Sequence, residues 1–378
     1  MTFPVARIAL CSLLTTFVVA QSASATAAAP TRRAPQRHEV VAAHAAWCAA
    51  NYAQLHRAAR ELQRAVQTLV AAPDEPKLTA ARAAWIAARR HYGRTECLRF
   101  HDGPIEPLEP LLNAWPVDEA WIDHIVADAE TFPLLDATVL QLANERGGEA
   151  NISTGWHAIE YLLWGKDLRA DGPGERPASD FTAAAPHGER RARYLRAVTE
   201  LLVEHCAALE QAWAPDADNY RRRFVAEVDA SLRRMLVGAT VLSAFELGGE
   251  RLVVAYETHD QEQEHSCFSD TTLQDFEANQ SGLVELLRGA PGAEHTSLLG
   301  LVHALDPALA RLLGARLDDT LRCLRAIPAP FDQALLAADG SPAHRAIGAA
   351  VAALEEQTDA LLLVGQRLGF ELPLQPGG

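Results

Sequence analysis

Apolar positions recur every three or four residues through most of the chain, the period of a helix that buries one face. From residue 38 to 71, Val41, Ala45, Cys48, Tyr52, Leu55, Ala59, Leu62, Val66 and Leu69 keep that spacing, and Pro73 and Pro76 close the segment. Residues 78–92 repeat it, with Ala81, Trp85 and Ala88 on one side and Arg82, Arg89 and Arg90 on another, before Gly93. The same pattern predicts helices over 119–129, 134–144, 189–213, 220–247, 283–288, 298–305, 307–327 and 344–368. Ala and Leu are plentiful and β-branched runs scarce, so the predicted fold class is all-α. Pro215-Asp216-Ala217-Asp218 breaks the pattern. It divides an N-terminal helical bundle, 38–214, from a C-terminal one, 215–378, the two packed around a shared interface.

One helix departs from the amphipathic rule. Gly155-Trp156-His157-Ala158-Ile159-Glu160-Tyr161-Leu162-Leu163-Trp164-Gly165 follows Ser153-Thr154, which supplies N-cap chemistry, and ends on a glycine suited to C′. Trp156, Ile159, Leu162 and Leu163 form a broad apolar arc, with His157, Glu160 and Trp164 beside it and Tyr161 flanking them. No Lys, Arg or Asp gives this helix a solvated back. His157 and Glu160, one turn apart, point the same way. Imidazole and carboxylate together suit a transition metal, and equally an acid/base or hydrogen-bonded pair.

Elsewhere the polar loops concentrate chemistry. Glu96-Cys97-Leu98-Arg99-Phe100-His101-Asp102-Gly103-Pro104-Ile105-Glu106 mixes charge with Pro and Gly. Glu250-Arg251 and the run Glu257 to Asp270, with His265, do the same in the second half. Charged groups from these stretches are expected to meet His157 and Glu160 at the junction of the halves, because an enclosed pair needs partners. Arg99 and Arg251 are the expected cations in the absence of a metal.

The N-terminus reads as a signal peptide: Arg7, an apolar run from Ile8 to Ala20, and Ala23-Ser24-Ala25 as a cleavage site, giving 1–25. Leu10 before Cys11 is wrong for a lipobox. Residues 26–37 read as a flexible tether, and no later stretch is apolar and long enough to span a membrane. The expected location is the periplasm or cell envelope. A net charge of -15 and a pI near 5.4 exclude nucleic acid as the natural partner. Five cysteines remain after the signal. An exported environment permits disulfides, and Cys48–Cys97 is the favoured pair.

The order Gly-x-His-x-x-Glu with Tyr-Leu-Leu behind it resembles the signature of the imelysin family, including its iron-regulated protein A group. The 257–270 run and Tyr92-Gly93 are similar to that group as well. The resemblance covers about 38–368 and implies paired helical bundles with a functional site between them. Three functions stay open. In the first, an exported metal-linked protein serves iron uptake or homeostasis, with His157 and Glu160 at the metal and Glu96, Glu106, Glu250 or the 257–270 run completing the site. In the second, a metallopeptidase uses zinc, with His259, His265 or His303 as third ligand; the chain has neither His-Glu-x-x-His nor Gly-x-Ser-x-Gly. In the third, a metal-free cleft binds a small ligand, a peptide or a cell-envelope partner protein, and Arg99 and Arg251 answer the carboxylates.

Overall fold

The computed structural model describes residues 33–169 and 171–377; the expected signal peptide and most of the expected tether lie outside them. Residues 34–378 pack as one compact unit. Helices account for its regular structure, and no strand occurs among the described residues. In chain order they are α1 (Arg37–Ala71), α2 (Glu75–Gly93), α3 (Glu109–Leu112), α4 (Glu119–Ala127), α5 (Ala137–Ala143), α6 (Gly155–Trp164) and α7 (Gly188–Trp213). Then come α8 (Tyr220–Ala226), α9 (Val228–Val241), a π-helix (Leu242–Val253), α10 (Val254–Thr258), α11 (Thr272–Arg288), α12 (Leu298–Leu305), α13 (Pro307–Ala326), α14 (Phe331–Leu335) and α15 (Pro342–Leu368). No helix among the described residues is long and apolar enough to cross a membrane.

The helices start where local chemistry permits. Asp74, Asp306 and Ser341 accept backbone N–H bonds at the heads of α2, α13 and α15, each with proline in the first two positions. Gly369 closes α15 in the left-handed region. The apolar stripe of α1 is buried from Val41 to Leu69 and packs on α7 and α2. In the second half, α13 packs on α15, and α15 on the π-helix. Contacts of α2 with α11 and of α1 with α9 join the early helices to the late ones, and the apolar core runs through both without a break.

The predicted helix over 220–247 is divided. Glu227 interrupts the α-helical conformation between α8 and α9, and the chain widens into the π-helix from Leu242. The acidic 257–270 run is mostly short 3-10 turns, and α11 begins eleven residues earlier than the pattern at 283 suggested.

All ten residues of α6 are buried, as its missing polar face foretold. Its start differs from the expected cap. Thr154 occupies the N-cap position, but its hydroxyl donates to Asn144 Oδ1 at 3.2 Å, and Ser153 Oγ donates to Leu140 O at 2.7 Å. Gly155 makes the turn possible. Its φ is +82°, and a Cβ there would overlap the Leu112 carbonyl.

Candidate functional site

His157 and Glu160 stand one turn apart on α6, with His157 Nδ1 2.9 Å from Glu160 Oε2; they are 1% and 0% exposed. The other carboxylate oxygen of Glu160 accepts from the Ser269 amide at 3.0 Å and the Ser269 hydroxyl at 2.7 Å. This bond ties α6 to the 3-10 turn Cys267–Ser269 of the second half. His157 Nε2 lies 3.5 Å from Arg89 Nη2. Arg89, from α2, grips Asp275 of α11: its Nε is 3.2 Å from both carboxylate oxygens and its Nη2 is 2.9 Å from Oδ2. Its Nη1 also donates to Asn113 Oδ1. His265 Nδ1 is 2.9 Å from Asp275 Oδ2, and its Nε2 is 3.4 Å from Arg89 Nη2. A proton on Nδ1 satisfies both contacts, with Nε2 accepting. Ser266 Oγ donates to Asp275 as well, at 2.8 Å, and the two imidazoles cross edge to face at 4.7 Å.

Asn113 carries the network onward. Its Nδ2 donates to Glu96 Oε1 at 3.1 Å, and Glu96 Oε2 receives Arg99 at 2.9 Å and Arg251 at 2.8 Å. Both guanidiniums also donate to Glu246 Oε1, at 3.0 and 2.7 Å. Arg99 reaches Glu109 at 3.1 Å, and Arg251 Nη1 donates to Asn279 Oδ1 at 2.7 Å. The π-helix serves this arrangement. Its i→i+5 bonding brings residues five apart onto adjoining turns, so Glu246 and Arg251 pair on one face.

Burial governs the titration of the site. It pushes Glu160 up to about 8 against the Ser269 bonds that favour the charged form. Burial, then the charge of Arg89, holds His157 well below the ordinary imidazole value; burial, then Arg251 and Arg89, does so for His265. Burial alone would raise Glu96, but Arg251 and Arg99 outweigh it and hold that carboxyl at about 2. Burial lifts Glu109 to about 6 despite Arg99.

His157, Glu160, Glu96, Arg99, Arg251 and His265 therefore lie in one continuous polar network. Other expectations fail. Glu250 is exposed, and Glu246 takes the place foreseen for it. Glu106 is half-buried and accepts from the His101 amide at 3.3 Å, while Glu109 reaches Arg99 in its stead. Arg99 and Arg251 hold Glu96 and Glu246; the cation next to His157 is Arg89. Trp164 packs on Trp85 with Arg82 above it, and Tyr161 donates to Asp123 at 2.9 Å, so both frame α6 from its other sides. His303 is exposed. His259 pairs with His344, Nε2 to Nε2 at 3.2 Å, and not with His157. The Cys48–Cys97 bridge is not formed: both thiols are free. Cys48 Sγ lies 3.3 Å from His44 Nε2, and Cys97 Sγ donates to the Arg94 carbonyl.

Sequence reasoning missed Arg89, Asp275, Ser269 and Asn113. Arg89 offered a signal, since it stands four residues after Trp85 and three before Tyr92, one turn from each, and both are buried. Asp275 and Ser269 offered none that separates them from ordinary polar helix and turn residues.

The central donors do not fit a metal ion as arranged. One guanidinium already lies within 3.5 Å of both imidazoles and holds the carboxylate of Asp275, so the lone pairs a metal would use face a cation. Among the described residues, two other groups each bring three ligand-type atoms within 4.8 Å of one another: His259, Asp339 and His344, and Asp167, Asp270 and Asp332.

Comparison with known proteins agrees with the helical architecture. Residues 48–361 match the family model described as imelysin, a peptidase family by its label. Iron-regulated protein A of Synechococcus elongatus is 25% identical over 325 residues, 83% of this chain and 82% of that protein. A crystal structure at 2.30 Å of a candidate iron-regulated protein A precursor from Parabacteroides distasonis superposes with a TM-score of 0.74 at 20% identity, covering 89% of this chain and 97% of the other; at that identity it speaks for the fold. With the family model spanning most of its length, the chain belongs to the imelysin family.

Proposed function

We propose that this protein is exported to the cell envelope and serves iron uptake or homeostasis by binding and not by peptide hydrolysis, with the His157–Glu160 helix at the centre of its functional site. The name of the Synechococcus relative supports the link to iron. One observation carries the choice against hydrolysis: Arg89 fills the space between His157 and His265 that a catalytic zinc would have to occupy. A zinc peptidase needs about three protein ligands and an open position for water. Here Glu160 is fully engaged by Ser269 and His157, and Asp275 by Arg89, His265 and Ser266.

The chain's own residues orient one another in this reading. Ser269 fixes Glu160, Glu160 fixes the His157 ring, and Asp275 aligns Arg89 and His265, so that the two halves present a single preset polar centre. The test is growth under iron chelation of a strain deleted for the gene, together with hydrolysis of a denatured protein substrate by the purified full chain. Wild type is expected to restore growth, folded His157→Ala to fail, and neither to cleave. Chelator-sensitive cleavage lost in His157→Ala would overturn the proposal, as would full rescue by that variant.

A further inference from the structure

Beside the central network lies a second concentration of carboxylates. Asp167 follows α6, Asp270 ends the 3-10 turn Cys267–Ser269, and Asp332 sits in the first turn of α14. Three distant stretches thus bring one carboxylate oxygen each within 4.8 Å of one another. Like charges so placed repel, and an arrangement of this kind needs a cation. Asp332 is 0% exposed, and neither of its oxygens has a hydrogen-bond partner in the protein. Glu264 is 1% exposed and is in the same position, with both oxygens unpartnered. The charges of Asp332, Asp270 and Asp167 all act on it. One oxygen of Asp270 is orphaned as well. Buried carboxylates left without donors are rare, because each forfeits its hydration with nothing in return.

The surrounding positive charge is already committed. Arg169 is the nearby guanidinium, and it pairs with Asp171 at 3.0 Å and Glu175 at 2.9 Å. Asp167 alone of the trio has side-chain help, accepting from Gln261 at 2.6 Å and from the Arg169 amide at 3.1 Å. Burial and the neighbouring acids raise the remaining carboxyls: Asp270 to about 7, Asp332 to about 6, and Glu264 well above its usual range.

We propose that Asp167, Asp270 and Asp332, with Glu264 nearby, bind a hard divalent cation such as calcium. All three ligand groups offer oxygen, which selects calcium or manganese over zinc. Three carboxylate oxygens within 4.8 Å of one another are close enough to share one ion at metal–oxygen distances of about 2.4 Å, the calcium range. The cation would also settle the turn that serves the central site, since Ser269, which holds Glu160, directly precedes Asp270. The backbone of Asp270 is in the left-handed region at φ 54°, a conformation that aspartate tolerates better than most residues.

The site stands independently of the iron reading, so growth under chelation does not bear on it. It is tested by calorimetric titration of the chelator-treated full chain with calcium chloride and with manganese chloride. One ion per chain is expected for wild type. Binding at least about tenfold weaker is expected for Asp332→Asn and for Asp270→Asn, since ligand charge sets affinity in such sites. His344→Ala removes a ligand from the other candidate group and should bind like wild type. Circular dichroism checks folding; if Asp332→Asn is unfolded, the half-buried Asp167→Asn gives the same reading. Absence of calcium and manganese binding by wild type overturns the proposal. So does wild-type affinity in the folded carboxylate variants, or loss of binding in His344→Ala.

Discussion

Replacing Arg89 by methionine should be among the most damaging single changes in this protein. The guanidinium and the Asp275 carboxylate are 3% and 2% exposed and meet through three contacts of 2.9–3.2 Å. Methionine fills much of the same space but leaves Asp275 charged, buried and held only by His265 and Ser266. Breaking one side of such a pair costs about 3–5 kcal/mol, because the partner keeps its desolvation penalty and loses its compensation. Arg325 with Glu277 is the control, a pair 55% and 46% exposed. Arg325→Met should cost under about 1 kcal/mol. Urea unfolding followed by circular dichroism measures both. Asp275→Asn should also destabilise, and Arg89→Met/Asp275→Asn should cost less than the sum of the single changes, with a coupling of about 1–3 kcal/mol. A loss below about 1 kcal/mol for Arg89→Met, or strict additivity in the cycle, would refute the view that this ion pair clamps α2 to α11.

Three further outcomes are expected. Glu160 titrates near 8 in the folded chain but near 4.5 when unfolded, so the folded state holds the extra proton between those values. The stabilisation is full below about pH 4.5 and lost as pH rises towards 8; urea midpoints of Glu160→Gln relative to wild type should therefore rise with pH across that window, and a flat difference would contradict it. Gly155→Ala should cost at least about 2 kcal/mol in urea unfolding, from left-handed strain plus overlap with Leu112; a neutral result would mean that the turn into α6 can shift. Alkylation of the native protein should modify Cys323 alone, since Cys48, Cys97, Cys206 and Cys267 are buried, and unfolding without reductant should free all five thiols to the reagent; mass spectrometry that finds Cys48 and Cys97 protected after unfolding would restore the bridge.

The fold was legible because long helices declare themselves by period. The stripes of α1, α2, α7, α13 and α15 are buried where the spacing said. The centre of the site was legible for a different reason: α6 has no polar back, so His157 and Glu160 had to find partners inside. The identity of those partners was not. Glu250 was named as a candidate and Glu246 was not, whereas a π-helix sets which residues pair with Arg251. Periodicity at 3.6 cannot anticipate a local change of period. Arg89 was set apart from the apolar side of its helix together with Arg82 and Arg90, and arginine is seldom fully buried. Only the three-dimensional approach of α11, which carries Asp275, makes its burial affordable.

Charge balance explains why the central network holds together with no added ion while the neighbouring trio of aspartates calls for one. The network contains five carboxylates, Glu96, Glu109, Glu160, Glu246 and Asp275, against three guanidiniums, Arg89, Arg99 and Arg251. The excess of two is met by protons. Glu160 and Glu109 are the carboxyls whose titration is pushed upwards, to about 8 and about 6, while Glu96, between two guanidiniums, stays ionised. His157 and His265, pressed towards the neutral form, add no charge. Below about pH 6 the assembly is thus close to neutral by internal proton placement. In the 167/270/332 group protons relieve the charge, since Asp270, Asp332 and Glu264 are pushed upwards too, but they do not supply coordination. Its one adjacent guanidinium is spent on Asp171 and Glu175, and protonating Asp332 or Glu264 would still leave their second oxygens without donors. A divalent cation supplies charge and coordination together, which protons alone do not.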